Sequence, residues 1–150
     1  MSPGRRSSHR LTQVRHCACF NLRKANRAVT QYYDEILGPS GLRITQFSLL
    51  AVIRLLGTAS VTQLANAAVM DRTTLARNLD LLQREKLVRI RPGVDGRVRE
   101  VSLTRTALAK LQAALPLWER AQAQLAERLG VERMERMLGD LSAAIAAAQS

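Results

Sequence analysis

The stretch from Ser60 to Thr104 constrains the fold more than any other, because its apolar spacing changes from helical to alternating directly after two capped helix starts. Ser60 and Gln63 have the S-x-x-Q spacing of a capping box, in which each side chain satisfies an orphan backbone donor. A short helix through about Ala68 is expected. Asp71 is a second N-cap, and Leu75, Leu79 and Leu82 at i, i+4 and i+7 give the next helix one apolar face as far as about Lys86. Two short helices joined by a few residues read as a helix-turn-helix. From 87 to 103 the period becomes two, with Val88 and Ile90 before a turn and Val101 and Leu103 after it. Residues 92–97, PGVDGR, hold the turn formers Pro92, Gly93 and Asp95-Gly96, so a hairpin with a basic tip is expected. A hairpin placed directly after the second helix of such a pair is a wing.

The flanking segments read as long helices. Ala18, Leu22, Ala25, Val29, Tyr32 and Ile36 form one stripe that GlyProSerGly at 38–41 terminates, since Pro39 disfavours helix at Gly38. Gln46 to Leu56 is apolar nearly all round, as a buried helix is. Beyond Thr104, a helix N-cap, Leu108, Leu111, Leu115, Trp118, Leu125 and Leu129 repeat at helical spacing, with a kink expected at Pro116. After Gly130, Val131, Met134, Leu138, Leu141, Ile145 and Ala148 continue the pattern. Stripes repeating every seven residues call for a partner helix, which points to a homodimer. Residues 1–10 read as a disordered basic arm, 11–37 and 104–150 as dimerisation helices, and 44–103 as the winged helix-turn-helix, all one intertwined domain. With only 3% aromatic residues and an apolar set of mostly Leu, Ala and Val, the chain is mainly α (α+β).

Charge narrows the function. Residues 1–33 carry seven basic and no acidic residues, and 71–105 carry nine basic and five acidic ones. Clustered positive charge attracts polyanions, so nucleic acid is the leading partner, through counterion release from phosphates. No apolar run is long enough for a membrane span and no secretory signal is visible, so no membrane role and a cytoplasmic location are expected. Enzymatic chemistry is not expected: there is no glycine-rich phosphate loop, no H-E-x-x-H and no Ser/His/Asp set, and no cofactor is implied. Cys17, Cys19, His9 and His16 match no zinc spacing, so no metal is expected.

In a helix-turn-helix the exposed start of the second helix enters the major groove. Those residues are Arg72, Thr73, Thr74, Arg77 and Asn78, with Arg77 suited to guanine and Asn78 to adenine edges. The wing carries Arg91, Arg97 and Arg99 for phosphates or a narrow minor groove, and Asp95 is expected to orient an arginine there.

From Leu64-Ala65 through DRTTLARNLDLLQREKLVRIRPGVDGRVREVSLT the chain resembles the multiple-antibiotic-resistance-regulator (MarR) family, over roughly residues 11–148. Ala107 departs from the glycine common there. The resemblance implies a winged helix-turn-helix homodimer on a pseudopalindromic double-stranded operator, acting as a repressor that a small aromatic effector releases. An effector pocket among Tyr32, Tyr33, Phe47, Leu50 and Trp118 is one placement; a plain apolar core is the other. Cys19-Phe20, Arg27, Thr30, Tyr33, Gln46 and Phe47 are similar in spacing to the organic hydroperoxide repressors, whose reactive cysteine takes the place of Cys19. Ile44 stands where they have a second tyrosine. A redox site of Cys17, Cys19 and Tyr33 is therefore an alternative, with the two cysteines about 200° apart if both lie on one helix. Another alternative is a non-specific architectural nucleic-acid binder.

Overall fold

A computed structural model describes residues 11–94 and 96–150. Its central unit is built on side-chain caps. Gln63 donates its backbone N–H to Ser60 Oγ at 3.1 Å while Ser60 N–H reaches Gln63 Oε1 at 2.8 Å, which starts α3 (Val61–Ala67). Thr74 N–H and Thr74 Oγ1 donate to the two Asp71 carboxylate oxygens at 2.9 and 2.6 Å, which starts α4 (Arg72–Arg84). Thr104 Oγ1 accepts from Ala107 N–H at 3.1 Å and starts α5 (Arg105–Leu129). Before them come α1 (Ala18–Leu37) and α2 (Ile44–Leu56), joined by a 3-10 turn, Gly38–Ser40. Gly38 keeps right-handed helical angles despite Pro39, and the chain turns instead at Gly41, in the left-handed region. The last helix is α6 (Val131–Gln149), and α5 passes through Pro116 as one element.

The expected hairpin forms. β2 (Val88–Pro92) pairs antiparallel with β3 (Arg99–Leu103), Val88 opposite Leu103 and Ile90 opposite Val101. A third strand, β1 (Ala59–Ser60), joins the far edge of β3, so the order is β1-β3-β2. Two residues are too few for alternation to show, and Ser60 is already spoken for as the α3 cap. The arm at 1–10 lies outside the described residues.

Both helices of the helix-turn-helix end on side chains in the left-handed region. Val69, φ 51°, follows α3, and Lys86, φ 59°, follows α4. Each turn closes with a bond five residues back: Met70 N–H to Ala65 O at 2.9 Å and Leu87 N–H to Leu82 O at 2.8 Å. This is the Schellman geometry, which glycine usually serves. Because α4 turns at Lys86, it ends at Arg84, two residues short of the sequence expectation.

The core sits where α4 meets the sheet and α2. Leu75, Leu79 and Leu82 are buried together with Leu50, Ile53, Leu64, Leu87 and Val101. Two ties fix the α4–β2 corner to the longer helices. Gln46 Nε2 of α2 donates to Glu85 Oε2 at 2.9 Å, and Thr104 Oγ1 donates to Lys86 O at 2.7 Å. A carboxylate oxygen of Asp34 on α1 accepts from Ile44 N–H at 2.7 Å and anchors the start of α2.

The Val69 geometry generates a prediction. A β-branched residue in the left-handed region carries about 1 kcal/mol or more of strain. Val69→Gly relieves it, and because Val69 is 53% exposed, little packing is lost. A higher midpoint in urea or thermal denaturation is expected; a lower one would show that the valine side chain stabilises the turn.

Candidate nucleic-acid interface

Burying Leu75, Leu79 and Leu82 dictates what α4 presents to solvent. At about 100° per residue, the opposite face carries Thr73, Arg77, Asp80 and Arg84, and all four are exposed. Arg72 is exposed beside them. The other two residues expected to read bases are placed differently. Thr74 spends its hydroxyl on Asp71 as part of the N-cap. Asn78 is half-buried and its amide donates to Met70 Sδ at 3.8 Å, bracing the turn between α3 and α4. Asp80 and Arg84, which sequence reasoning passed over, lie on the outward stripe; helical spacing from Arg77 was the signal.

The pleat divides the wing arginines. Val88 and Ile90 face inward from β2, leaving Arg89 and Arg91 on the outer face. Arg99 shares a face with the buried Val101, and Arg97 and Arg99 line a cleft of about 290 Å³ against α4 together with Arg72 and Asp80. The structure thus gathers Arg72, Arg97 and Arg99 and sets Arg91 apart, opposite Glu100. The tip is closed by Gly93 N–H on Val98 O at 2.6 Å. A side chain at Gly93 would meet Glu100 Oε1 at 3.0 Å and Val98 O at 3.1 Å, so these neighbours would have to yield by a few tenths of an ångström. Asp95, and with it the expected aspartate–arginine pair, lies outside the described residues.

The expected pocket residues pack on one another and on the core within the chain. Leu50 is fully buried, and Phe47 stacks on Trp118 with ring centroids 5.9 Å apart. Tyr33 hydrogen-bonds Gln122 Oε1, and Tyr32 donates to Ala121 O at 3.1 Å and Gln124 Oε1 at 3.3 Å, so both phenols tie α1 to α5. Burial first, and the Tyr32 phenol second, push the Tyr33 pKa up and keep that hydroxyl a donor. An open groove of about 480 Å³ lies next to this cluster, between α2 and α5, with Phe47, Leu55, Leu108, Leu111 and Leu115 as apolar walls and Arg54 and Gln112 as polar groups. Phe47 is the one member of the expected set that reaches it.

Cys17 and Cys19 are both exposed. Cys17 is the extended N-cap of α1, after a 3-10 turn Gln13–His16, so only Cys19 is on the helix and the 200° separation does not apply. Asn21 Nδ2 fixes this elbow through Arg15 O at 2.7 Å and Cys17 O at 2.9 Å. Tyr33 is fourteen residues along α1 from Cys19, roughly 21 Å away, so the two do not meet within one chain. Among the described residues, no group of three or more His, Cys, Asp or Glu could hold a metal, and no single helix is long and apolar enough to cross a membrane.

A sequence model of the MarR family matches residues 40–98, which span the helix-turn-helix and most of the wing. The crystal structure of the M. tuberculosis transcriptional regulator MosR in complex with DNA is 41% identical, with a TM-score of 0.78, over 89% of this chain and 99% of that one. This chain belongs to the MarR family. A probable transcriptional regulator from Pseudomonas aeruginosa is 26% identical, with a TM-score of 0.77, over 87% of this chain and 98% of that one. A mutant of E. coli MarR complexed with operator DNA shares the fold at 22% identity and a TM-score of 0.74, over 82% of this chain and 89% of that one. No curated protein matches the chain. As a MarR-family member it is a DNA-binding transcriptional regulator.

The cap that begins α4 is pH-sensitive. The Thr74 hydroxyl, then the Thr74 and Thr73 amides, hold the Asp71 pKa below the ordinary aspartate value. A carboxylate depressed on folding stabilises above its unfolded pKa, and that contribution is lost as pH falls through the folded value. Asp71→Ala therefore lowers the melting temperature at neutral pH, and the gap from wild type narrows on acidification below the ordinary aspartate range. A gap that widened with acid would refute the cap's electrostatic role.

Proposed function

We propose that this MarR-family chain is a homodimeric repressor that binds a pseudopalindromic operator and is released by a small aromatic effector. The reading rests on one observation above all: Thr73, Arg77 and Arg84 face outward on α4 while Arg72, Arg97 and Arg99 converge beside them. A helix stripe and an arginine-lined limb side by side match a major groove and its neighbouring phosphates or minor groove. In this reading Arg77 reads a base edge, Arg97 and Arg99 hold phosphates, and Asn78 and Thr74 stabilise the recognition helix instead of touching bases.

Dimerisation is supported by apolar surface at the two ends of the chain. Phe20, Leu22 and Val29 of α1 and Val131, Leu138 and Ile145 of α6 are all exposed in one chain. Apolar side chains at helical spacing on two long helices are what an intertwined partner buries. Two copies present two recognition helices, which makes the target a symmetric pair of half-sites.

The groove between α2 and α5 is the best-supported place for the effector. Its leucine walls and Phe47 suit an aromatic ring, and Arg54 suits a carboxylate or phenolate substituent. Proline at 116 cannot donate to the carbonyl of Gln112, which leaves an acceptor at the same wall.

A second reading is favoured by the elbow at Cys17. With Cys17 off the helix, an exposed pair of thiols lies at the start of α1, beside the apolar surface assigned to the partner. Oxidation of Cys19 by a hydroperoxide gives the sulfenic acid and the corresponding alcohol. A Cys19→Ser protein that still leaves DNA on hydroperoxide treatment removes this reading.

Selection of binding sequences from random duplex, followed by footprinting, tests the function; binding with no preferred sequence would indicate an architectural protein. Arg77→Ala is expected to relax discrimination at one position in each half-site by about 1–3 kcal/mol. Arg97→Ala is expected to weaken all sequences alike and to reduce the salt slope by about one per contact. Light scattering is expected to give twice the chain mass of 16.6 kDa, and Leu22→Glu with Ile145→Glu to shift it toward one. A monomeric wild type would sink the symmetric-operator model.

A further inference from the structure

Gln46 spends both ends of its amide. Its Oε1 accepts from Arg43 N–H at 3.0 Å at the start of α2, and its Nε2 donates to Glu85 Oε2 at 2.9 Å, one residue past the end of α4. A carboxylate at position 46 serves the first bond and not the second, and an ammonium serves the second and not the first. Two residues before it, Ile44 N–H donates to Asp34 Oδ1 of α1 at 2.7 Å. Within one turn of α2, three helices are tied in series: α1 through Asp34, α2 through Ile44 and Gln46, and α4 through Glu85.

Burial of Leu75, Leu79 and Leu82 decides which way α4 faces, but apolar contact is non-directional and does not by itself fix where the end of the helix points. Thr104 Oγ1 on Lys86 O gives that end a second polar anchor, and without the Gln46 bond this anchor becomes a pivot. In a dimer built on the exposed apolar face of α1, the separation of the two α4 helices runs through this series of ties in each copy. Duplex DNA measures that separation closely, since one base pair moves the next half-site by about 3.4 Å and turns it by about 35°.

We propose that Gln46 is a positioning residue that sets the half-site spacing the protein accepts, by holding the end of α4 to the junction of α1 and α2. The proposal rests on the reading of a homodimer on a symmetric operator for its consequence, while the tie between Gln46 and Glu85 is a property of the free protein.

Two duplexes read this role: the selected operator, and the same operator with one extra base pair between its half-sites. The ratio of the two affinities cancels any change in net charge, which acts on both alike. Gln46→Glu keeps the bond to Arg43 N–H and sets carboxylate against carboxylate, so the preference for the native spacing is expected to fall roughly fivefold, with base preferences inside each half-site as in wild type. Adding Glu85→Gln restores a donor and acceptor in the opposite sense, and the ratio is expected to return toward wild type. In the free protein, amide exchange at Glu85 and Lys86, whose N–H groups close the end of α4 on Leu81 O and Gln83 O, is expected to accelerate in Gln46→Glu and to slow again in the double variant. A ratio unchanged by Gln46→Glu, a double variant that stays defective, or unchanged exchange overturns the proposal and leaves the operator reading intact. A wild type that selects no paired half-sites defeats the operator reading, and the spacing role falls with it.

Discussion

The burial of one leucine stripe on α4 governs the rest of the molecule. Leu75, Leu79 and Leu82 pack against Leu50, Ile53, Leu64, Leu87 and Val101, each fully buried leucine contributing about 2 kcal/mol of hydrophobic stabilisation. Because a helix is rigid at this length, seating that stripe also sets the direction of every other side chain on it. Thr73, Arg77, Asp80 and Arg84 face solvent as a consequence of what the leucines do, and the basic surface is in that sense the reverse side of the core.

Orientation about the helix axis leaves the tilt of α4 to be settled, and the α4–β2 corner settles it. Glu85 is held by Gln46 of α2, and the Lys86 carbonyl by Thr104 at the start of α5. The same two helices wall the apolar groove of Phe47, Leu55, Leu108, Leu111 and Leu115. Any change in the spacing of α2 and α5 would therefore reach the end of α4 through bonds already in place. At the other end of α5, Tyr32 and Tyr33 bind it to α1, whose exposed face carries the apolar residues assigned to a partner chain. The long helices are mechanically continuous with the helix-turn-helix.

Legibility in the sequence tracked how local the determining interaction is. Ser60 with Gln63, Asp71, and Thr104 each act within four residues, so their caps could be read directly and all three formed. The hairpin followed from alternation around a turn rich in glycine and proline, and strand packing set its register. The left-handed turns at Val69 and Lys86 could not be read, because neither residue favours that conformation and tertiary packing overrides the preference. The strand at Ala59–Ser60 exists only because β3 lies beside it. Asn78, expected to read bases, also places its amide nitrogen 3.8 Å from Met70 Sδ, a tertiary contact that its position in the sequence did not reveal.

What the sequence determined by itself was the order of the main helices and the hairpin, the stripe that each helix must bury, and the concentration of positive charge between 71 and 105, since these depend on spacing and local capping. What only the tertiary structure decided was which charged groups share a space. Arg72 and Asp80 on the helix line one cleft with Arg97 and Arg99 of the wing while Arg91 lies on the other face of its strand, because strand pleat and helix packing bring together residues that are far apart along the chain. The same holds for the groove, whose walls come from two helices more than fifty residues apart and take shape only when both pack on a common core.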